Sequence, residues 1–190
     1  MSKFNFIETK LKDLYIIEPT IFGDSRGYFM ETYNKREFLE AGLDMEFVQE
    51  NESKSKKGVL RGLHFQTENV QGKLVRVAFG EVYDVAVDLR IGSPTYGLWE
   101  GVILSSENKR QFYVPEGFAH GFLVLSNEAV FNYMCTNYYN ADYEGGILWN
   151  DKDINIEWPL DKVDSVILSE KDKKLLKLSE LDLQFKYGGE

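Results

Sequence analysis

The stretch from Lys73 to Arg90, KLVRVAFGEVYDVAVDLR, does most to limit how this chain can fold. Its two halves are crowded with β-branched and aromatic residues, which suit a pleated, half-buried surface better than a helix. Gly80-Glu81 interrupts them and reads as the turn of a β-hairpin. In the second half Val85, Val87 and Leu89 alternate with Asp84, Ala86 and Asp88, the period of a strand with one buried face. Similar runs recur near 99–105, 111–115, 121–126 and 129–136, parted by Gly, Pro, Asn or Asp. Many short strands with regular turn signals predict a β-sandwich or barrel. Helical signals stay at the edges. Asn34 is placed to cap a short segment with Glu37 at its third helical position, and Gly42 ends it. Ser169-Glu-Lys-Asp172 before Leu-Leu-Lys-Leu predicts a second capped helix. The expectation is a mainly β fold with a few short peripheral helices.

The chain has 190 residues and no repeat, low-complexity tract or linker, so residues 1–190 are expected to form one domain. A chain of this size buries about 70% of its unfolded surface and needs no staples. Cys135 is the only cysteine, so no disulfide forms within the chain and a reducing compartment suits it. The start lacks an export signal and no apolar run reaches bilayer length, so a cytoplasmic protein without membrane attachment is expected. The 22 basic and 31 acidic side chains leave a net charge of −9, which argues against nucleic acid as a partner. Residues 54–110 run the other way, with 9 basic against 6 acidic side chains. Such a basic middle could accept a small anion such as a diphosphate, although on charge alone a surface fluctuation of a few charges is the better explanation.

Two histidines carry the chemistry that is available near neutral pH. His64 lies in Gly58-Val-Leu-Arg-Gly-Leu-His-Phe-Gln66, and His120 in Val114-Pro-Glu-Gly-Phe-Ala-His-Gly-Phe122. Each is alternatively a hydrogen-bonded core residue. No H-x-H or H-E-x-x-H pattern is present, although two histidines and a Glu leave a zinc or iron triad open. A histidine base works best with a carboxylate fixing its tautomer, and Asp172 is one possible orienter. It also sits where a helix-capping acid belongs. Alternation puts Phe131, Tyr133 and Cys135 on one face, so Tyr133 is either a satisfied buried phenol or a proton donor facing a pocket. Arg26, Arg61 and Lys73 stand among Gly or apolar neighbours. Arginine suits a diphosphate, and lysine suits a point charge beside an enolate. Strict alternation puts Arg61 and His64 on opposite faces, so a shared site requires a bulge at Gly62.

Together these segments resemble the dTDP-4-dehydrorhamnose 3,5-epimerases. The resemblance rests on Asp24-Ser-Arg-Gly-Tyr-Phe-Met-Glu31, Gln49-Glu-Asn51, the two histidine segments, Lys73-Leu-Val-Arg-Val77 and Gly80 to Arg90. Gly92-Ser-Pro-Thr95, Trp149-Asn-Asp151 and Leu168-Ser-Glu-Lys-Asp172 continue it. The matches run in order across about residues 5–175, and the tail beyond carries none of them. The resemblance implies a cupin-type jelly-roll barrel, a homodimer, and catalysis with no metal or organic cofactor. It implies a dTDP-4-keto-6-deoxyhexose substrate, dTDP-4-dehydro-6-deoxy-D-glucose, inverted at C3 and C5. It further implies His64 as base, Tyr133 as opposing proton donor, Asp172 as the acid paired with the base, and Lys73 as the cation near the C4 oxygen. Arg26, Glu31, Gln49, Asn51, Arg61, His120, Glu144 and Lys171 correspond to substrate contacts.

Three rivals remain at this level. One is a relative that inverts only C3 or only C5, which depends on how the ring sits between His64 and Tyr133. Another is a metal-dependent cupin oxygenase or isomerase, and the third is a silent sugar-binding barrel.

Overall fold

The computed structural model describes residues 2–188. Its strands are β1 (Phe4–Glu8), β2 (Tyr15–Pro19), β3 (Phe22–Asp24), β4 (Gly27–Phe29), β5 (Gln49–Lys56), β6 (Leu60–Gln66) and β7 (Lys73–Phe79). They continue with β8 (Glu81–Asp88), β9 (Trp99–Ser105), β10 (Gln111–Val114), β11 (Phe118–Val124), β12 (Glu128–Cys135) and β13 (Glu144–Gly146). One sheet has the order β1-β2-β10-β7-β12-β5, and the other β13-β6-β11-β8-β9. Every pair within them is antiparallel. Val75, Val77, Val82, Val102, Phe122 and Phe131 join the sheets through one apolar cluster. The result is a mainly β jelly-roll barrel of the cupin type.

Gly80 turns a corner here, which corrects the expected hairpin. β7 lies between β10 and β12, whereas β8 lies in the opposite sheet between β11 and β9. With both edges of each strand already paired, the two halves of the motif cannot pair with each other. Gly80 has φ +81°, and a Cβ there would sit 2.2 Å from the Glu128 carbonyl oxygen. The alternation along β8 also hides more than one buried face. Val85 and Val87 pack outward against Ile147, Trp158 and Leu183, while Val82 and Ala86 pack into the barrel. Both faces are covered, so Asp84 and Asp88 are buried too.

The short helix α1 (Lys35–Glu40) forms where expected, with the Asn34 side chain accepting from the Arg36 N–H. Phe38, fully buried, meets Phe4, Phe6 and Tyr33 at ring separations of 4.9–5.3 Å and seals the outside of the first sheet. Glu37 does not return to the cap; its carboxylate accepts from the Lys3 N–H and the Ser2 hydroxyl. The expected second helix is reduced to a 3-10 turn, Asp172–Lys174. Ser169 Oγ does accept from the Asp172 N–H at 3.0 Å. However, Leu175 is already extended, and Leu176 pairs with Ile147, which pulls the chain flat.

Candidate active site

Alternation sends Lys73 on β7, Tyr133 on β12, and Gln49 and Asn51 on β5 inward from the first sheet. β6 needs a further device. His64 lies opposite His120 on β11, yet Arg61 lies opposite Phe122, so β6 carries one more residue than its partner over this stretch. The extra residue falls beside Gly62, at φ +106°, where a Cβ would lie 2.6 Å from the His120 carbonyl oxygen. Only glycine tolerates that conformation and contact. The bulge turns Arg61 and His64 onto one face, as a shared site requires.

These residues surround a cavity of about 620 Å³ between the sheets. His64, Tyr133, Asp172, Lys73, Gln49, Asn51, Arg61, His120, Glu144 and Lys171 all line it. His64 approaches from one sheet, and Lys73 and Tyr133 from the other. Asp172 reaches the site because its loop is pinned on both sides: Ile167 bridges to Val59 and Leu176 to Ile147. Its Oδ1 stands 2.6 Å from His64 Nε2. This contact favours the orienter reading of Asp172 over the helix cap: its carboxylate goes to the histidine, and only its backbone N–H serves the Ser169 turn. Arg61 Nε donates to Ser55 Oγ at 3.1 Å, and Gln49 Nε2 donates to Asn51 Oδ1 at 3.0 Å.

The local field separates the titratable groups. Burial would push the Asp172 carboxyl up, but the hydrogen bond and charge of His64, supported by Ser169 and Lys171, bring it below the ordinary carboxylate value. Glu144 is likewise held low against its burial by Lys171 and the Tyr139 hydroxyl. Desolvation pushes the Lys73 ammonium down, opposed by Cys135, Asp84 and Glu144. Desolvation also pushes the Tyr133 phenol up, so it keeps its proton at neutral pH. Among the described residues, no three His, Cys, Asp or Glu side chains are grouped to hold a metal ion.

Arg26 and Glu31 stand apart from this cavity. Arg26 lies at the tip of the β3–β4 hairpin, bound to Asp24, with 88% of its side chain exposed. Glu31 pairs with Lys3 and accepts from Asn34 Nδ2 at 3.0 Å. Two residues of the site, one on its wall and one behind it, escape the sequence reading. Tyr139, at the mouth, donates its hydroxyl to Glu144 at 2.6 Å, but it lies in a loop with no periodicity to mark it. Asp84, bound to His120 at 2.8 Å, was masked by an alternation that reads as a solvent-facing side.

The family model described as dTDP-4-dehydrorhamnose 3,5-epimerase matches residues 8–180. A protein of that name from Methanothermobacter thermautotrophicus is 59% identical over 180 residues, covering 95% of this chain and 97% of its own. A crystal structure of the Legionella pneumophila dTDP-6-deoxy-D-glucose-3,5-epimerase in complex with dTDP-4-keto-L-rhamnose superposes with a TM-score of 0.94 at 52% identity. It covers 97% of this chain and 98% of the other. The Bacillus anthracis dTDP-4-dehydrorhamnose 3,5-epimerase, solved with TDP and PPi bound, gives 0.87 at 48% identity, over 92% and 99% of the two chains. With matched motifs, barrel and cavity in agreement, the chain belongs to the dTDP-4-dehydrorhamnose 3,5-epimerase family.

Proposed function

We propose that this protein epimerises dTDP-4-dehydro-6-deoxy-D-glucose at C3 and C5, giving dTDP-4-dehydro-L-rhamnose. The observation that carries the reading is the His64–Asp172 contact in one cavity with Tyr133, which enters from the opposite sheet. The C4 ketone acidifies the hydrogens on both neighbouring carbons. His64 takes a proton, the C–H electron pair becomes part of a C=C bond, and the ketone oxygen gains the negative charge. Lys73 faces that oxygen and stabilises the enolate. Asp172 holds the imidazole in one tautomer and steadies the imidazolium. Tyr133 returns a proton from the other face, which inverts the carbon; solvent then reprotonates the phenolate and takes the proton from His64. The same cycle serves the second carbon. Arg61, Gln49, Asn51, His120, Glu144 and Lys171 hold the sugar and its diphosphate.

The protein acts in the cytoplasm as a single domain over residues 1–190, and as a homodimer. No helix among the described residues is long and apolar enough to cross a membrane. Support for the dimer comes from the β3–β4 hairpin, where Phe22, Tyr28 and Phe29 are 52–64% exposed on a ribbon outside both sheets. Packed against a second copy, this ribbon covers its apolar side chains and delivers Arg26 and Glu31 to that copy's cavity. Incubation with the 4-keto sugar in heavy water tests the chemistry. Deuterium at both C3 and C5 of an inverted product is expected, whereas label at one carbon only would refute the double inversion.

A further inference from the structure

A second histidine–carboxylate pair stands at the cavity wall, with the histidine among the sugar contacts and its carboxylate, behind the wall, without a task. His120 and His64 are direct cross-strand partners and both face the cavity. Asp172 holds His64 Nε2 from the loop side, and Asp84, one strand further along the sheet on β8, holds His120 Nε2 at 2.8 Å. The Asp84 side chain is fully buried. Among the described residues its Oδ2 has no hydrogen-bond partner, which is an expensive state for a buried carboxylate. The Lys73 ammonium interacts with this carboxylate through space, with no hydrogen bond between them.

We propose that Asp84 is a positioning residue, which keeps the proton of His120 on Nε2 and so presents Nδ1 to the cavity as a hydrogen-bond acceptor for a hydroxyl of the bound sugar. An acidic ring hydrogen can be reached only if the hexose lies in one register between His64 and Tyr133. A single acceptor of fixed orientation on the strand beside His64 sets that register. The carboxylate is what fixes the orientation. An amide at the same place can either accept from Nε2–H or donate to a bare Nε2, and the second choice turns Nδ1 into a donor. The inference rests on the proposed reading only for the identity of the sugar. The tautomer is a property of the ligand-free protein.

Having only two histidines makes the test clean. Nitrogen-15 spectra of the ligand-free wild-type protein are expected to show His120 protonated at Nε2 and bare at Nδ1. The opposite tautomer overturns the proposal whatever the enzyme does to its sugar. In Asp84→Asn the His120 signals should move toward the other tautomer or a mixture. Its kcat should fall roughly 10- to 100-fold, the scale of a misplaced reacting group, with dTDP affinity unchanged. The melting temperature should stay level or rise, because a half-partnered carboxyl, whose burial already works against its charge, has gone. In a His120→Asn background the same change should cost nothing further. An unchanged tautomer in Asp84→Asn, or a rate within about twofold of wild type, contradicts the proposal. So does a fall in stability with the tautomer intact, which would make Asp84 merely structural.

Discussion

Lys73 and Tyr133 stand near each other on the cavity wall, and burial moves their proton affinities in opposite directions. The lysine falls below its ordinary value and the phenol rises above its own. As pH rises, Lys73 therefore loses its charge earlier than an ordinary lysine, and with it the support for the proposed enolate. The alkaline limb of kcat should lie below the ordinary lysine value of about 10.4. Lys73→Arg keeps its charge past about pH 12, so any activity it retains should show the limb moved upward. Lys73→Ala should cost roughly 10²–10³-fold in kcat, about 3–4 kcal/mol, as loss of an oxyanion donor does. Besides its proposed part in the chemistry, Asp172 acts on stability. Its folded value is depressed, so its contribution is complete above the unfolded value of about 3.9 and disappears as pH falls through the lower folded value. Urea midpoints of wild type and Asp172→Asn should therefore differ by a constant amount at pH 5–6 and converge below about pH 4.

At the level of elements, the bulge on β6 decides whether a site exists. Gly62→Ala forces a side chain into a positive φ and against the His120 carbonyl, a strain of about 1–3 kcal/mol. The expected outcome is a lower melting temperature with a disproportionate loss of kcat, because Arg61 and His64 no longer share a face. The need for this bulge is legible in the sequence, since two wanted side chains sit three apart in a strand. The strands β7–β10 and β12 and the helix α1 are legible because period and capping are local, whereas β11 begins at Phe118, ahead of the expected 121–126, and the polar β5 shows no such period. The path of the chain between sheets is not. Gly80 looks alike whether it closes a hairpin or turns a barrel corner, and only the pairing of β10 and β12 with β7 settles which. Asp84 was missed for a related reason. An acid alternating with valines signals solvent unless its own face is also covered; here that face is the barrel interior, closed by Val75, Val77 and Phe131 of the opposite sheet, while Ile147, Trp158 and Leu183 cover Val85 and Val87. The Ser169–Asp172 turn looked like a helix start because half of its capping geometry is real.

For the molecule as a whole, the proposed site lies inside the barrel apart from Arg26, at the tip of the exposed β3–β4 ribbon, and Glu31, just beyond β4 and paired with Lys3. An aspartate at Phe29, 64% exposed in the isolated chain, puts a charge where the ribbon would meet a second copy. Phe29→Asp should sediment as a monomer with its fold intact and a raised KM, whereas an unchanged dimer of full activity would remove the ribbon from the interface. The barrel also explains how one chain can act on two carbons. The two sheets hold the imidazole and the phenol on opposite sides of a single space, and in the proposed reaction a ring between them would present one carbon and then the other. The most direct test of that claim is deuterium wash-in from heavy water by His64→Asn, with nucleotide-sugar binding checked by calorimetry. Tight binding with no deuterium at either C3 or C5 is the predicted result. Continued exchange at either carbon would mean that another group removes the proton, and the account would be wrong.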